Sequence, residues 1–542
     1  MTPRELSLAR LRAKRFNVLV IGGGIVGAGI ARDAAMRGLS VALVEQGDFA
    51  SGTSSKTSKL IHGGLRYLEH GRFRLVAESL RERQTLRTIA PGLVHPLSLI
   101  LPVYQDDPRS SWKIAAGLSL YDLLAIGRNI RRHRMVSARR AVAIEPGLRF
   151  DGLRAAGLFA DCQMDDARVC LANILQAISF GAAAVNYARV RTLLRSNTQR
   201  ICGAVVEDAF TGRAWEVEAE AVVNATGPWA DGLRRLSDPR TTERLSPSKG
   251  IHLVLPRLAR EALFVQAKSD GRMVFLLPWG DYSLVGTTES AVDGPLDELS
   301  ASADDVDYLL NEVNRILPGS HVGAAEIIAT FAGARPLLAS PGPATHASRE
   351  HRIELDRWGL LSVMGGKYTT YRAMAQQAVD ALMVHHRWRL DRCLTDQVSL
   401  LETVQPVSLE HWKQLTRQID PDLLGRLLVR YGAGVFPMLH TLAREPALAQ
   451  PVCPHHEYVQ AELVHGVRHE SACTLTDLLA RRTRIAWSSC QGLDALSLIT
   501  ALLERYGGIA SDELERQAEA YRRFLAKSLA FRREPLGFPI AS

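Results

Sequence analysis

The stretch from Phe16 to Ala35 constrains this chain more than any other. Phe16 to Ile21 (FNVLVI) is an apolar, β-branched run that reads as a buried strand. Gly22-Gly23-Gly24-Ile25-Val26-Gly27 follows at once, and Ala28 to Ala35 (AGIARDAA) continues as a helix. In this spacing Gly22 permits the tight turn, Gly24 lets backbone approach a pyrophosphate, and Gly27 lets the helix pack closely on the strand. The N–H groups at the helix N-terminus favour the phosphate charge. A second strand, Ser40 to Val44 (SVALV), ends at Glu45, the spacing of an acid that accepts hydrogen bonds from an adenosine ribose. Glycine-rich turns also occur without nucleotides, but strand, turn, helix, second strand and acid together point to a dinucleotide.

Two later segments favour FAD over NAD. Ala221 to Gly227 (AVVNATG) is a strand ending in a small-residue turn, and Leu360 to Lys367 (LLSVMGGK) is a strand running into a glycine pair. At 542 residues the chain exceeds what one hydrophobic core supports, so two or three domains are expected. Hydrophobic residues make up 46% and charged residues 23%, which excludes a mainly disordered chain. The seven cysteines show no CxxC spacing, and the first twenty residues lack the apolar run of a signal peptide, so a reduced, cytoplasmic setting is expected. The longest apolar run, Ile114 to Gly127, is interrupted by Asp122 and is too short to cross a bilayer. The net charge of +9 implies attraction to something anionic: a nucleic acid, a lipid surface or a phosphorylated substrate.

Ser54 to His70 (SSKTSKLIHGGLRYLEH) resembles the corresponding segment of the membrane-associated, FAD-dependent sn-glycerol-3-phosphate dehydrogenases. DCQMDDARVCLAN from Asp161, NATGPW from Asn224, KGIHLVLP from Lys249, GARPL from Gly333, SREH from Ser348 and GGKYTTYR from Gly365 follow in family order. The match loosens through ELVHGVRHESA from Glu462 and TDLLARRTRI from Thr476, where His465 and Ser471 replace expected aromatic residues. The resemblance implies an α/β fold: a discontinuous Rossmann-like FAD-binding domain, an inserted antiparallel-sheet substrate domain, and an all-helical C-terminal domain. The expected division gives residues 1–90, 151–245 and 331–390 to the FAD domain, 91–150 to a cap region and 246–330 to the substrate domain. A linker at 391–408 leads to helices over 409–542. Ile251 to Leu255, Arg272 to Pro278 and Ser283 to Thr287 read as strands, in agreement.

The resemblance further implies oxidation of glycerol 3-phosphate to dihydroxyacetone phosphate, electron transfer to membrane quinone, a homodimer, and attachment to the inner face of the cell membrane. It assigns Ser54, Ser55, His62, Gly63, Gly64, Gly227, Gly365, Gly366 and Lys367 to the cofactor side, beside Gly22, Gly24, Gly27 and Glu45. A phosphomonoester favours guanidinium groups, which bind it bidentately. Arg66, Arg335 and Arg349 lie in shared motifs, with Tyr67 and Lys367 as further substrate contacts by resemblance. Arg335 and His252 are expected at the reacting centre, His252 as the base or hydroxyl-orienting group and Arg335 polarising the developing carbonyl. A buried structural histidine is the competing reading for His252 and for His62.

Trp112 to Ile126 places Ile114, Leu118, Tyr121 and Ala125 on one helical face between basic flanks, as an interfacial anchor would. The competing reading is a helix packed on its own core. Ser511 to Arg533 is also amphipathic and reads as a docking helix at a domain or dimer surface. Cys453, His455 and His456 cluster, and His465 and His469 share a helical face, but neither spacing matches a zinc pattern, and no metal is expected. A soluble flavin oxidase using oxygen is the alternative within enzymes. A flavin-containing nucleic-acid-binding protein is the alternative outside them, though no aromatic-basic interleaving supports it and no nucleic-acid partner is expected.

Overall fold

The computed structural model describes residues 1–13, 15–339, 350–400 and 408–532. Phe16–Ile21 is the centre of the first sheet, paired in parallel with Val41–Val44 on one side and Ala214–Asn224 on the other. The order across this sheet is His351–Leu355, Leu360–Gly365, Ala214–Asn224, Phe16–Ile21, Val41–Val44, Ala183–Val185, with only the first pair antiparallel. Ile201–Asp208 and Ala188–Arg195 extend the N-terminal half of Ala214–Asn224 as an antiparallel meander. The central strands are near-continuous in Val, Ile, Leu and Ala because both faces are covered. The helices Ile25–Met36, Asp166–Ser179 and Tyr371–His386 pack together, and their buried side chains join the strands in one core.

The second sheet is mostly antiparallel. It runs Ser290–Ala291, Ser248–Pro256, Tyr282–Gly286, Met273–Trp279, Ala262–Gln266, Val94–Tyr104, Leu153–Met164, Leu60–Ile61, with Ala329–Arg335 on the other side of Ser248–Pro256. The three strands expected here from sequence are present. Two boundaries shift, however. Leu153–Met164, expected in the FAD domain, pairs along its length with Val94–Tyr104, and Ala329–Arg335 pairs with Ser248–Pro256. Both are long β-rich segments whose partners are distant in sequence, so local pattern does not reveal which sheet they join.

Beyond residue 408 the chain is helical, with its own core around Leu427, Leu439, Leu463, Leu478, Ile499 and Tyr521. The expected linker is described to 400; residues 401–407 lie outside the described residues. Ser511–Ser528 buries Leu514, Ala518, Tyr521 and Leu525, the stripe read from sequence. This domain meets the first sheet through buried ion pairs. Arg481 and Arg482 both reach Asp48 at 2.6 Å, and Arg168 reaches Glu470 at 2.7 Å. It meets the second sheet through rings, with Trp487 edge-on to Phe331 at 5.6 Å.

The helix expected as an anchor spans Ser111–Ala125, but its predicted stripe faces inward. Leu118, Tyr121 and Ala125 are buried, and the Tyr121 hydroxyl donates to the Asp161 carboxylate at 2.8 Å. The exposed apolar residues lie on a different edge: Trp112 at 69% exposure, Leu123 at 70% and Ile126 at 72%. The stripe reading failed because the helix is apolar nearly all round, so periodicity could not tell its two sides apart. No helix among the described residues is long and apolar enough to cross a membrane.

Candidate active site

A cavity of about 1120 Å³ runs between the two sheets, from the Gly22 turn to the strands carrying His252 and Arg335. Its first end is built from backbone. Gly22 takes φ +112°, a left-handed conformation that side chains disfavour, and its N–H donates to the Val44 carbonyl. Gly27 does not line the cavity. A Cβ there would overlap the Gly22 carbonyl oxygen, so its role is to seat the helix against the turn. The Ser54 hydroxyl accepts the Ile25 N–H at 2.9 Å, capping the helix from a separate segment. The Glu45 carboxylate accepts the N–H groups of Gly23 at 2.6 Å and Gly47 at 2.8 Å. Burial raises its pKa and these two N–H groups oppose the rise. A carboxylate has about four acceptor positions, so ribose hydroxyls can still be received.

Lys56 was not foreseen. It lines the cavity with no side-chain hydrogen bond or ion pair among the described residues, and burial, then Arg481 and Lys527, push its ammonium down to about 8. Such a cation, in the same cavity as the Gly22 turn and the first residues of the Ile25–Met36 helix, suits an anionic ligand. Gly227, Gly365 and Gly366 all have positive φ and line the same wall. His62 and Gly64 line it as well, whereas Ser55 and Gly63 do not. Gly63 instead donates its N–H to the Tyr121 hydroxyl at 2.8 Å, in a buried group with Asp161 and Arg83 that braces the turn from behind. Ser55 gives its carbonyl to Lys59 Nζ at 2.6 Å. The shared motif thus holds both contact and supporting residues, and sequence position alone does not separate them.

The other end is built from side chains. His252 is 3% exposed and stacks on Phe331 at 5.1 Å, with Nε2 hydrogen-bonded to the Ser58 hydroxyl at 2.8 Å. Burial, then Arg335 and Lys59, hold its pKa well below the ordinary imidazole value, which favours the neutral ring. Arg335 lies across the strands. Its Nη2 donates to the Thr287 hydroxyl at 2.7 Å and the Thr288 carbonyl at 2.8 Å, and Nη1 to Ser248 and Lys249 at 3.3 and 3.2 Å. Gly250 and Gly286 make this possible. A Cβ on Gly250 would collide with the Arg335 guanidinium, and one on Gly286 with the His252 ring. Glycine inside a strand is the sequence signal that could have found both.

Arg66 differs from Arg335. It lines the cavity with no side-chain hydrogen bond or ion pair among the described residues. Lys367 Nζ sits 4.0 Å from the centroid of the Tyr67 ring and 3.3 Å from the Ser79 hydroxyl. Arg66, Tyr67 and Lys367 therefore form a cationic corner; Arg349 lies outside the described residues.

A cavity that joins the glycine turn and Glu45 to His252, Arg335, Arg66 and Lys367 is consistent with a flavin-dependent oxidoreductase. Residues 17–372 match the family model described as FAD dependent oxidoreductase, and 362–514 match that of the C-terminal domain of alpha-glycerophosphate oxidase. The chain is 37% identical to glycerol-3-phosphate dehydrogenase 2 of Mycobacterium tuberculosis, over 96% of this chain and 89% of that protein. It is 35% identical to the mitochondrial glycerol-3-phosphate dehydrogenase of Bos taurus, over 98% of this chain and 76% of that one. A solved glycerol-3-phosphate dehydrogenase from Bacillus halodurans, complexed with FAD, superposes with a TM-score of 0.79 at 27% identity, covering 99% of each chain. The chain belongs to the FAD-dependent glycerol-3-phosphate dehydrogenase family, and FAD is its cofactor.

Proposed function

We propose that the chain oxidises sn-glycerol 3-phosphate to dihydroxyacetone phosphate and passes the electrons to a membrane quinone. The observation that carries the substrate reading is the placement of the Arg66, Tyr67 and Lys367 corner in one cavity with the neutral His252. A phosphomonoester in that corner meets an uncommitted guanidinium and an ammonium, each a charge-assisted donor. The phosphate handle then holds the secondary alcohol, and orientation replaces a chance encounter.

Bound FAD supplies the two-electron acceptor that no side chain can provide. As the C–H bond of the alcohol gives up hydrogen and its electron pair, the hydroxyl proton passes to the Ser58 oxygen while Ser58 gives its own proton to His252 Nε2, its hydrogen-bond partner. Arg335 places positive charge beside the carbonyl that forms, sharing N–H groups already directed at Thr287 and Thr288.

The membrane part of the reading rests on Trp112 and Leu123, exposed on one short helix, and Ile126 just after it, beside Arg128, Arg131, Arg132 and Arg134. An apolar edge with basic neighbours suits the inner surface of an anionic bilayer, where quinone is dissolved. A homodimer is supported by the resemblance alone, and solution molar mass tests it. Anaerobic mixing with sn-glycerol 3-phosphate should bleach the flavin absorbance, and a short-chain quinone should restore it. Flavin that stays oxidised rejects the substrate; flavin restored by oxygen and not by quinone makes the chain an oxidase.

A further inference from the structure

We propose that Cys453, His456 and Cys490 form a zinc site in the C-terminal domain, away from the flavin cavity. The linear spacing of Cys453, His455 and His456 argued against a metal because the third ligand was out of view. Cys490 stands 37 residues further on, and folding brings its sulfur to 3.6 Å from Cys453 Sγ. His456 Nε2 lies 3.0 Å from Cys453 Sγ, and the three ligand atoms all fall within 4.8 Å of one another. Two thiolates bound at about 2.3 Å to one tetrahedral zinc stand about 3.8 Å apart. The observed sulfur separation matches that span, while His456 Nε2, at hydrogen-bond distance from Cys453 Sγ, draws back by about 0.5 Å on binding to reach the roughly 3.5 Å between nitrogen and sulfur on one zinc.

The surroundings suit bound thiolates. Gly492 donates its backbone N–H to Cys490 Sγ at 3.4 Å, and the Ser488 hydroxyl lies 3.4 Å from the same sulfur. Outer-shell N–H groups of this kind orient metal-bound sulfur. His456 turns Nε2 toward the thiols, and its Nδ1 is enclosed with no hydrogen-bond partner among the described residues. His455, which seemed part of the cluster in sequence, lies instead 3.5 Å from the Asp494 carboxylate. Three protein ligands leave a fourth position for water. Two sulfurs and one imidazole select zinc over calcium or magnesium, which take oxygen. Binding releases the two thiol protons to solvent and needs no oxidant.

The site would clasp the loop before Gln460–His469 to the segment before Leu496–Gly507. That second segment faces the substrate sheet. Ser489 donates its N–H to the Tyr282 hydroxyl at 2.9 Å, and Gln491 Nε2 reaches the Ile328 carbonyl at 3.0 Å. Trp487 packs on Phe331, the ring that stacks on His252. Zinc here braces the back of the substrate wall.

The test uses the full-length, FAD-loaded protein from zinc-supplemented cells, purified without chelator. Elemental analysis should find about one zinc per chain that survives dialysis. Cys490→Ser and His456→Ala should each lose it and melt at lower temperature, while Cys202→Ser, at a distant cysteine, should keep it. Should the variants not fold, cobalt exchanged into the unaltered protein should give tetrahedral thiolate bands at the red end of the visible, beyond oxidised flavin absorption. Three results would overturn the site: unaltered protein that holds no zinc and takes up no cobalt, zinc that persists in both variants, or a thiol titration that finds Cys453 and Cys490 joined as a disulfide.

Discussion

The dinucleotide end of the cavity is shaped by backbone, and the substrate end by side chains. At the first end Gly22, Gly227, Gly365 and Gly366 adopt positive φ, and Glu45 and Ser54 hold main-chain N–H groups. At the second, His252, Arg335, Arg66 and Lys367 come from four separate segments and converge only on folding. The difference predicts different kinds of failure. Damage to backbone geometry should remove the cofactor, whereas damage to a side chain should leave FAD bound and slow its reduction.

The largest effect is expected at Gly27. Gly27→Val sets a branched side chain against the Gly22 carbonyl and drives the helix off the strand, so purified protein should contain almost no flavin. Full flavin occupancy would mean that close helix packing is not what forms the turn. The matching test at the other end is His252→Ala, which should keep its flavin and lose about 10²- to 10⁴-fold in the rate of flavin reduction. An unchanged rate removes His252 as the base. Since burial, then Arg335 and Lys59, hold its pKa well below the usual value, the acid limb of kcat/KM should lie well below pH 6.5. A limb at pH 6.5 that vanishes in the alanine variant would show an ordinary imidazole instead.

The same contrast explains what could be read before folding. Backbone geometry leaves a local trace: Gly22, Gly24 and Gly27 are spaced by the turn they make, and Glu45 follows on the next strand. The substrate end leaves only Gly250 and Gly286 inside their strands, because Arg66 and Arg335 are two among 66 lysines and arginines, and residue type does not reveal convergence. Their selection came from resemblance. Resemblance in turn could not tell Gly64, on the cavity wall, from Gly63, turned to Tyr121. Lys56 escaped notice because an unpaired cation is defined by its surroundings. The stripe of Ser111–Ala125 misled because Ile114, Leu118, Tyr121 and Ala125 satisfy helical periodicity whether they face lipid or Phe159.

Asp48 sharpens the comparison from outside the cavity, since the C-terminal domain clamps the dinucleotide end through it. Burial would raise this carboxyl, but Arg482 and Arg481 hold it below the usual carboxylate range. Asp48→Asn leaves the buried Arg482 guanidinium without its carboxylate, while Arg481 keeps Asp477 at 2.6 Å, and should cost about 3–5 kcal/mol in urea unfolding at pH 7. The sign with pH follows. A depressed folded pKa contributes stability in full above the unfolded value near pH 3.9, and that contribution is lost as pH falls through the lower folded value. The asparagine variant should lack this part of the acid slope, and an equal slope in both proteins would place the ion pairs outside the stability balance. Smaller again is Arg66→Ala, expected to raise KM for glycerol 3-phosphate by about 10- to 100-fold with flavin retained, the value of one charge-assisted contact.

The smallest expected effect is the most pointed, because Gly250→Ala applies a backbone-type change at the side-chain end. Gly250 sits inside Ser248–Pro256 without positive φ, so alanine suits its conformation and the strand should form normally. The added methyl meets the tip of Arg335, a flexible side chain that can swing away by giving up Thr287 and Thr288. Flavin content and melting temperature should therefore stay close to those of the unaltered protein, while kcat/KM falls by about 10-fold, near 1.4 kcal/mol. If the variant loses flavin, backbone shape governs both ends of the cavity and the contrast fails. If kcat/KM is unchanged, the guanidinium position held by Gly250 is not the one the reaction uses.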